Sequence, residues 1–328
     1  MNASTDHAVA VTAREQAELV AAPRPAEPLG PHQVEGRTLA TLVSPGTELA
    51  SAYLGERFPR TPGYAAVFQV EAVGCEVGDA AVGDRLFCMG PHRSWQRVRA
   101  AEAVAVPAGL AAEAAVFARM MCVSMSTLTT TTARPPEPVL VTGLGLVGHL
   151  AAQVFARGGY QVTAVEPLEP RRELASAAGI ERVLPSVPLD DERLAGTMAL
   201  VVECSGHEQA ALDGCRMVRK RGEVVLVGVP WRRHTDLSAH ELLDAIFHKY
   251  AVVRSGWEWE VPRQPTDFRA GSLVGQFAAA LRWLAEGHVR VEGLAATRPP
   301  REAQQAYQHL LQRRGGALSV VFDWTACP

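Results

Sequence analysis

Three glycines and one acid, Gly143, Gly145, Gly148 and Glu166, carry the spacing that dinucleotide chemistry requires. In Gly143-Leu-Gly145-Leu146-Val147-Gly148 the first glycine permits a tight turn. The second lets the backbone approach a pyrophosphate, and the third allows a helix to pack closely on a strand. Free N–H groups and the positive dipole end of the helix that follows suit phosphate charge. Glu166 lies eighteen residues beyond Gly148, near the spacing of a carboxylate that accepts hydrogen bonds from an adenosine ribose. To position these residues the chain needs strand, turn, helix and second strand in succession, and the sequence supplies each. Val139, Leu140 and Val141 form an apolar run, Leu150, Val154 and Phe155 recur at helical spacing, and Gln161 to Val165 is β-rich. The alternative reading is a glycine-rich βαβ crossover that binds nothing.

Around this stretch the pattern changes twice. From Ala8 to about Pro107, short β-type runs are separated by Pro and Gly: Ala8 to Val11, Thr38 to Val43, Ala66 to Val73, Arg85 to Cys88, Trp95 to Val98 and Ala103 to Val106. This predicts a small barrel-like β domain, followed by an alanine-rich helical segment to about Thr129. From Val139 to about Ser255 strands alternate with helices, which predicts a doubly wound parallel sheet. The later elements are a helix at Arg171 to Ala178, strands at Arg182 to Leu184 and Met198 to Glu203, and a helix at Gln209 to Met217. A strand at Glu223 to Val229, a helix at Ala239 to His248 and a strand at Ala251 to Ser255 complete the alternation. Beyond Pro262 come helices at Gln276 to Glu286 and Arg301 to Gln312, a short strand near Gly293 to Ala296, and a β-run at Ala317 to Asp323 that returns the chain to the first domain.

Composition narrows the function classes. At 328 residues, two domains are the default, and 48% hydrophobic with 20% charged residues reads as an ordinary soluble protein. A net charge of −3 gives no support for nucleic-acid or anionic-membrane binding. There is no apolar run of membrane-spanning length, and the amino terminus has neither a basic start nor an apolar core of the signal-peptide kind. Six scattered cysteines without CxxC predict free thiols and a reduced, cytoplasmic protein.

With these motifs in place, the chain resembles the medium-chain dehydrogenase/reductase superfamily over essentially its whole length. The matching signposts are Ser44-Pro-Gly-Thr-Glu-Leu49, Pro62-Gly63, Gly74, Val82-Gly-Asp-Arg85, the Gly143 to Gly148 turn, Glu203-Cys-Ser205-Gly206 and Val227-Gly228-Val229. The resemblance implies an α/β fold, with a GroES-like β-barrel catalytic domain (1–118 and 262–328) and a Rossmann domain (119–261). It implies a nicotinamide cofactor on Gly143, Gly145, Leu146, Val147, Gly148, Glu166, Arg171, Ser205, Gly206, Val227, Gly228 and Val229. Glu166 repels a 2′-phosphate and favours NAD(H), whereas Arg171 and Arg172 leave NADP(H) open. A small-molecule substrate and a homodimer are the implied partners.

The departures concern the metal. Zinc-containing members carry a Cys where this chain has Pro45 and a His-Glu pair where it has Tyr64-Ala65, and a third ligand would fall around Arg119 to Met120. Pro and Met offer Zn²⁺ no suitable donor and neutral Tyr is a poor one. The four-cysteine lobe of many members is also absent, because Arg85 to Trp95 runs straight on. No zinc is expected at either position. Without a Lewis acid, negative charge on a reacting oxygen must be met by protein donors or a general acid. Thr47 matches the family's hydroxyl residue that bonds substrate oxygen, with a turn-capping hydroxyl as the alternative. Tyr64, in a former ligand position, is a candidate donor or acid, or a packed Tyr. Glu48 is a candidate to orient a relay partner or hold a substrate hydroxyl, or is a simple N-cap or surface carboxylate. His92, in the loop that replaces the lobe, is a candidate acid or solvated surface. Arg119 is a candidate anchor for an anionic or polyhydroxyl substrate, or lies on a helix surface. Trp257, with Trp259, is a candidate to line the substrate site, or packs in the core or at a dimer contact.

The leading expectation is a zinc-independent alcohol–ketone oxidoreductase for a small polar or cyclic metabolite, because SPGTEL looks like the segment in polyol- and bacteriochlorophyllide-dehydrogenase-type members. Reduction of an activated carbon–carbon double bond is the rival, and a non-catalytic nucleotide-binding protein is the third reading. Arg and Ala richness points to a high-GC bacterial source, where many such enzymes tailor secondary metabolites.

Overall fold

The computed structural model describes residues 6–314 and 316–325. The chain forms two compact units: one runs to Arg119 and takes in Phe277–Gly287 and the segment from Val291 onward, and the other comprises Met120–Gln276 with His288–Arg290. Residues 262–276 go with the second unit, where Gln276 bonds the hydroxyls of Ser126 and Thr129.

In the first unit the strands are β1 (His7–Ala13), β2 (Gln16–Ala21), β3 (Gln33–Leu42), β4 (Ala66–Val73), β5 (Arg85–Cys88), β6 (Trp95–Arg99) and β7 (Val104–Ala105). β1 and β2 form a hairpin of their own. β2 escapes the sequence reading because QAELVA is short and carries only one fully buried position, Ala17. In the second unit, β8 (Pro138–Thr142), β9 (Gln161–Val165), β10 (Arg182–Leu184), β11 (Met198–Glu203), β12 (Val218–Leu226) and β13 (Val252–Ser255) make one sheet. β14 (Ala295–Arg298) and β15 (Ser319–Asp323) return to the first unit, where β15 pairs antiparallel with β3. Among the described residues that unit's main sheet has the order β14-β15-β3-β4-β5-β7, with β6 also on β3.

The second sheet is parallel throughout, in the order β10-β9-β8-β11-β12-β13. The chain winds outward from β8 in one direction and from β11 in the other, so the topology switches between these two strands. β8 and β11 are buried along nearly their whole length, as strands covered by helices on both faces must be. The fifth strand begins at Val218, earlier than its hydrophobic run suggests, because parallel pairing extends to Met198↔Val218 past an irregularity in register. Val227, Gly228 and Val229 lie beyond its end.

One core of the first unit gathers Val9, Val11, Val43, Tyr53, Tyr307, Phe322 and Trp324. No helix among the described residues is long and apolar enough to cross a membrane. Cys75, Cys88, Cys122, Cys204 and Cys215 are free thiols, and Cys327 lies outside the described residues.

Candidate active site

The glycine turn of the second unit sits at the carboxyl end of β8, beside the switch point. Gly143 has φ +79°, a left-handed conformation that suits glycine, and a Cβ there would lie 2.8 Å from the Cβ of Ser205 at the end of β11. A Cβ on Gly148 would lie 1.8 Å from the Gly143 carbonyl oxygen, so only glycine lets the helix Leu146–Arg157 seat against the turn. Gly145, the N-cap of that helix, faces open space, with nothing nearer to a built Cβ than an Arg171 guanidinium nitrogen at 4.0 Å. This open cradle over the free N–H groups of a twelve-residue helix fits a pyrophosphate.

Two buried carboxylates hold the cradle. Glu166 follows β9 and is 3% exposed; its Oε2 accepts from the Leu144 N–H at 2.8 Å and its Oε1 from the Leu168 N–H at 3.1 Å. The Arg171 guanidinium stands 3.5 Å from Oε2, whereas Arg172 donates to the Glu166 and Pro167 carbonyls. Glu203, at the end of β11, accepts from the N–H groups of Ser205 (2.7 Å) and Gly206 (3.1 Å) and from the Ser205 hydroxyl. Burial raises its pKa, against the lowering effect of these donors. Its carbonyl accepts from Val227 and Gly228, which draws the Ser205-Gly206 and Val227-Gly228-Val229 loops together. The cofactor residues expected from sequence therefore group around the carboxyl ends of β8, β9, β11 and β12. Glu203 is an addition whose signal was its place at the head of Glu-Cys-Ser-Gly.

The first unit assembles a second polar group. Ser44 caps the short helical turn Pro45–Glu48, and Glu48 reaches back so that its Oε1 accepts from the Ser44 N–H at 2.7 Å, in the manner of a capping box one residue later. Glu48 Oε2 meets His92 Nε2 at 3.0 Å and accepts from the Tyr307 hydroxyl at 2.6 Å. His92 Nδ1 meets the Thr41 hydroxyl at 2.8 Å, and Thr41 also accepts from the Trp324 indole at 3.0 Å. Glu48 and His92 are 2% and 0% exposed. His92 is therefore buried, not on a solvated loop, and Glu48 is no surface carboxylate; within this network both fix the Ser44 turn from below. Tyr307 and Thr41 carried no sequence signal, since only folding brings positions 41, 48, 92 and 307 together.

Above the network lie Thr47 and Tyr64, both partly buried. The hydroxyls of Ser44 and Thr47 are neighbours of the Tyr64 phenol that act to lower its pKa. Arg119, at the start of the helix Ala118–Thr130, is buried, with its guanidinium carbon 4.8 Å from the centre of the Tyr64 ring. Arg119 is thus inside the unit, not on an outer helix face. Burial pushes the Tyr64 pKa up and so does the Glu48 charge, while Ser44, Thr47 and Arg119 pull it down; the net direction is upward. The phenol is protonated at neutral pH and is chemically a proton donor. Trp257 belongs to the second unit, exposed beyond β13, with its backbone N–H donating to the Ser255 hydroxyl.

Comparison with known proteins bears on this arrangement. Residues 147–258 match the model of the family described as zinc-binding dehydrogenase. Alcohol dehydrogenase notN of Aspergillus sp. (strain MF297-2) is 26% identical over 82% of this chain and 83% of its own. L-galactonate-5-dehydrogenase of Escherichia coli (strain K12) is 25% identical over 79% of this chain and 73% of its own. The crystal structure of galactitol-1-phosphate dehydrogenase from Escherichia coli superposes with a TM-score of 0.79 at 19% identity, covering 97% of this chain and 99% of that one. These comparisons support the resemblance to the medium-chain dehydrogenase/reductase superfamily that the sequence motifs carry. The matched relatives are named dehydrogenases, which supports an oxidoreductase, and the fold has a parallel-sheet part and a separate, largely antiparallel part of the kind those proteins share.

The zinc in the matched family's description has no matching donor set here. At the positions the resemblance assigns to ligands stand Pro45, Tyr64, Ala65 and Arg119, the last a fixed cation. No group of three or more His, Cys, Asp or Glu among the described residues is placed to hold a metal ion. These residues do not fit zinc.

Proposed function

We propose that this medium-chain dehydrogenase/reductase interconverts an alcohol and a ketone on a small polar or cyclic metabolite, without zinc and with NAD(H) preferred. The observation that carries the reading is the Tyr64 ring with the Arg119 guanidinium over its face and the Ser44 and Thr47 hydroxyls as neighbours, at the positions where the family's metal chemistry would reside. The relatives' names, alcohol and polyol-type dehydrogenases, support the alcohol class. When bound, the nicotinamide supplies or accepts the hydride. The chain does the rest: the glycine turn and the Ser205-Gly206 loop bind the dinucleotide, Glu166 and Arg171 flank its ribose end, and Tyr64 protonates the substrate oxygen. Thr47 orients that oxygen and relays the proton. The Glu166 carboxylate supports NAD(H), and Arg171 beside it leaves room for NADP(H).

Turnover of ketone and enone panels with deuterated NADH tests the reaction class. Deuterium on the carbinol carbon supports the reading; deuterium on the β carbon of an enone replaces it with double-bond reduction. Undiminished activity after exhaustive chelation, with no zinc by elemental analysis, is the expected result for the metal; stoichiometric zinc overturns it. Thr47→Val is expected to lower kcat about 10- to 100-fold with little change in the KM for NADH.

We further propose a small-molecule substrate as the partner, a homodimer, and a cytoplasmic setting. The exposed Leu243, Phe247, Tyr250 and Trp257 side chains support self-association, and the free thiols support a reducing compartment. Sedimentation at a monomer's mass would remove the dimer.

A further inference from the structure

Loss of the metal ligands leaves a question of charge. A carbonyl oxygen that receives hydride electrons needs a positive partner, and a neutral phenol alone is a modest one. The nearest fixed positive charge that the first unit offers Tyr64 is Arg119. It is 4% exposed, so its field is screened far less than at a surface. Its guanidinium lies over the face of the Tyr64 ring, 4.8 Å from the ring centre, while the Ser44 and Thr47 hydroxyls act on the phenol to lower its pKa. A guanidinium over an aromatic face is attracted to the ring's electron density, and more strongly once that ring carries the negative charge of a phenolate.

We infer that Arg119 is a positioning residue that acts through Tyr64, its charge held against the ring so that the phenol gives its proton to the substrate oxygen and the resulting tyrosinate is stabilised where a metal ion would otherwise have carried the charge. This rests on the carbonyl-reduction reading above. In the step, hydride adds to the carbonyl carbon and the π electron pair passes to oxygen. The O–H bond of Tyr64 breaks and a new O–H bond forms on the substrate. NADH is oxidised, the ketone is reduced, and a solvent proton arriving by way of the Thr47 hydroxyl restores the phenol. The two charged groups that act on Tyr64 are Arg119 and Glu48, with opposite signs. Glu48 is tied to Ser44, His92 and Tyr307, so its position is set by the network beneath. Arg119 thus works against the burial and the Glu48 charge, alongside the larger effects of the Ser44 and Thr47 hydroxyls.

Two measurements on the full chain test the inference, with Arg119→Met, Arg119→Lys, Tyr64→Phe and the double variant. The first is a near-ultraviolet difference titration of tyrosinate, wild type minus Tyr64→Phe, repeated in the Arg119→Met background. The Tyr64 midpoint is expected to move up in Arg119→Met and to return part of the way in Arg119→Lys. The second is a kinetic cycle on a ketone that the wild type reduces. Arg119→Met is expected to cost roughly 10- to 100-fold in kcat in the wild-type background and under about threefold in the Tyr64→Phe background, because the residue acts through the phenol. Equal losses in both backgrounds mean that Arg119 touches substrate directly and overturn the inference, as does an unmoved midpoint. NADH binding monitors folding of every variant, since its residues lie in the second unit. The titration needs no turnover: if no ketone is reduced, the proposed function fails, while the Arg119–Tyr64 coupling is still decided by the midpoint.

Discussion

The cofactor turn of the second unit and the Ser44 turn of the first are both pinned from below by buried carboxylates that accept backbone N–H groups. Glu166 holds Leu144, Glu203 holds Ser205 and Gly206, and Glu48 holds Ser44. The difference lies in what else each carboxylate meets. Glu203 has only neutral donors within a few residues or on the adjacent strand, including Thr142 at 3.5 Å. Glu48 is locked to His92 and Tyr307, residues from distant parts of the chain. The glycine turn is stabilised locally, whereas the turn that presents Thr47 depends on two remote segments, at His92 and Tyr307, converging on Glu48. The geometry of the proposed catalytic group in the first unit is therefore more vulnerable to changes far away in sequence.

The largest effect that would sharpen this contrast is expected from Glu48→Ala. It strands the Ser44 N–H, the His92 imidazole and the Tyr307 hydroxyl in a dry interior, at a cost of about 3–5 kcal/mol. Urea unfolding measures it, and a loss below about 1 kcal/mol would show that water or relaxation replaces the network. Next is Gly148→Ala, whose Cβ would collide with the Gly143 carbonyl; a cost of roughly 1–3 kcal/mol and a sharp drop in NADH affinity are expected by calorimetry. If the affinity is unchanged, the turn has freedom that close packing does not predict. Glu166→Ala is expected to raise the KM for NADH about tenfold, on the order of 1.4 kcal/mol, and that for NADPH less. An unaltered cofactor preference removes Glu166 from the ribose.

The smallest effect concerns pH. The folded-state pKa of Glu203 lies above its unfolded value, so the native state binds the proton more tightly. The stability linked to this group is fully present below the unfolded pKa and is lost as pH rises through the folded one. Compared with Glu203→Gln, the wild type is thus expected to lose relative stability as pH rises from the ordinary carboxylate range toward neutrality. Parallel unfolding curves for the two proteins across that range would instead assign Glu203 an unshifted carboxyl.

Much of the second unit is legible in sequence because its determinants are local. Gly143, Gly145, Gly148 and Glu166 lie within one βαβ stretch, and strand periodicity marks Met198–Glu203 without error. The start of β12 is less visible, since Val218–Lys220 acquires strand character from pairing with β11 rather than from its own pattern. In the first unit, sequence marks Thr47, Glu48, Tyr64, His92 and Arg119 as unusual without showing how they divide. Only the tertiary structure separates a buried network, Glu48 with His92, Thr41 and Tyr307, from the Tyr64–Arg119 pair that rests near it.

What the sequence determined by itself is the class of carrier, since a phosphate-binding turn is specified by which residues tolerate left-handed backbone and close approach. What tertiary structure decided is which polar groups of the first unit share one buried network and which lie beside it. Whether an imidazole or a phenol can give up a proton depends on burial and on the charges beside it, and those are set by neighbours up to 259 positions apart in the chain.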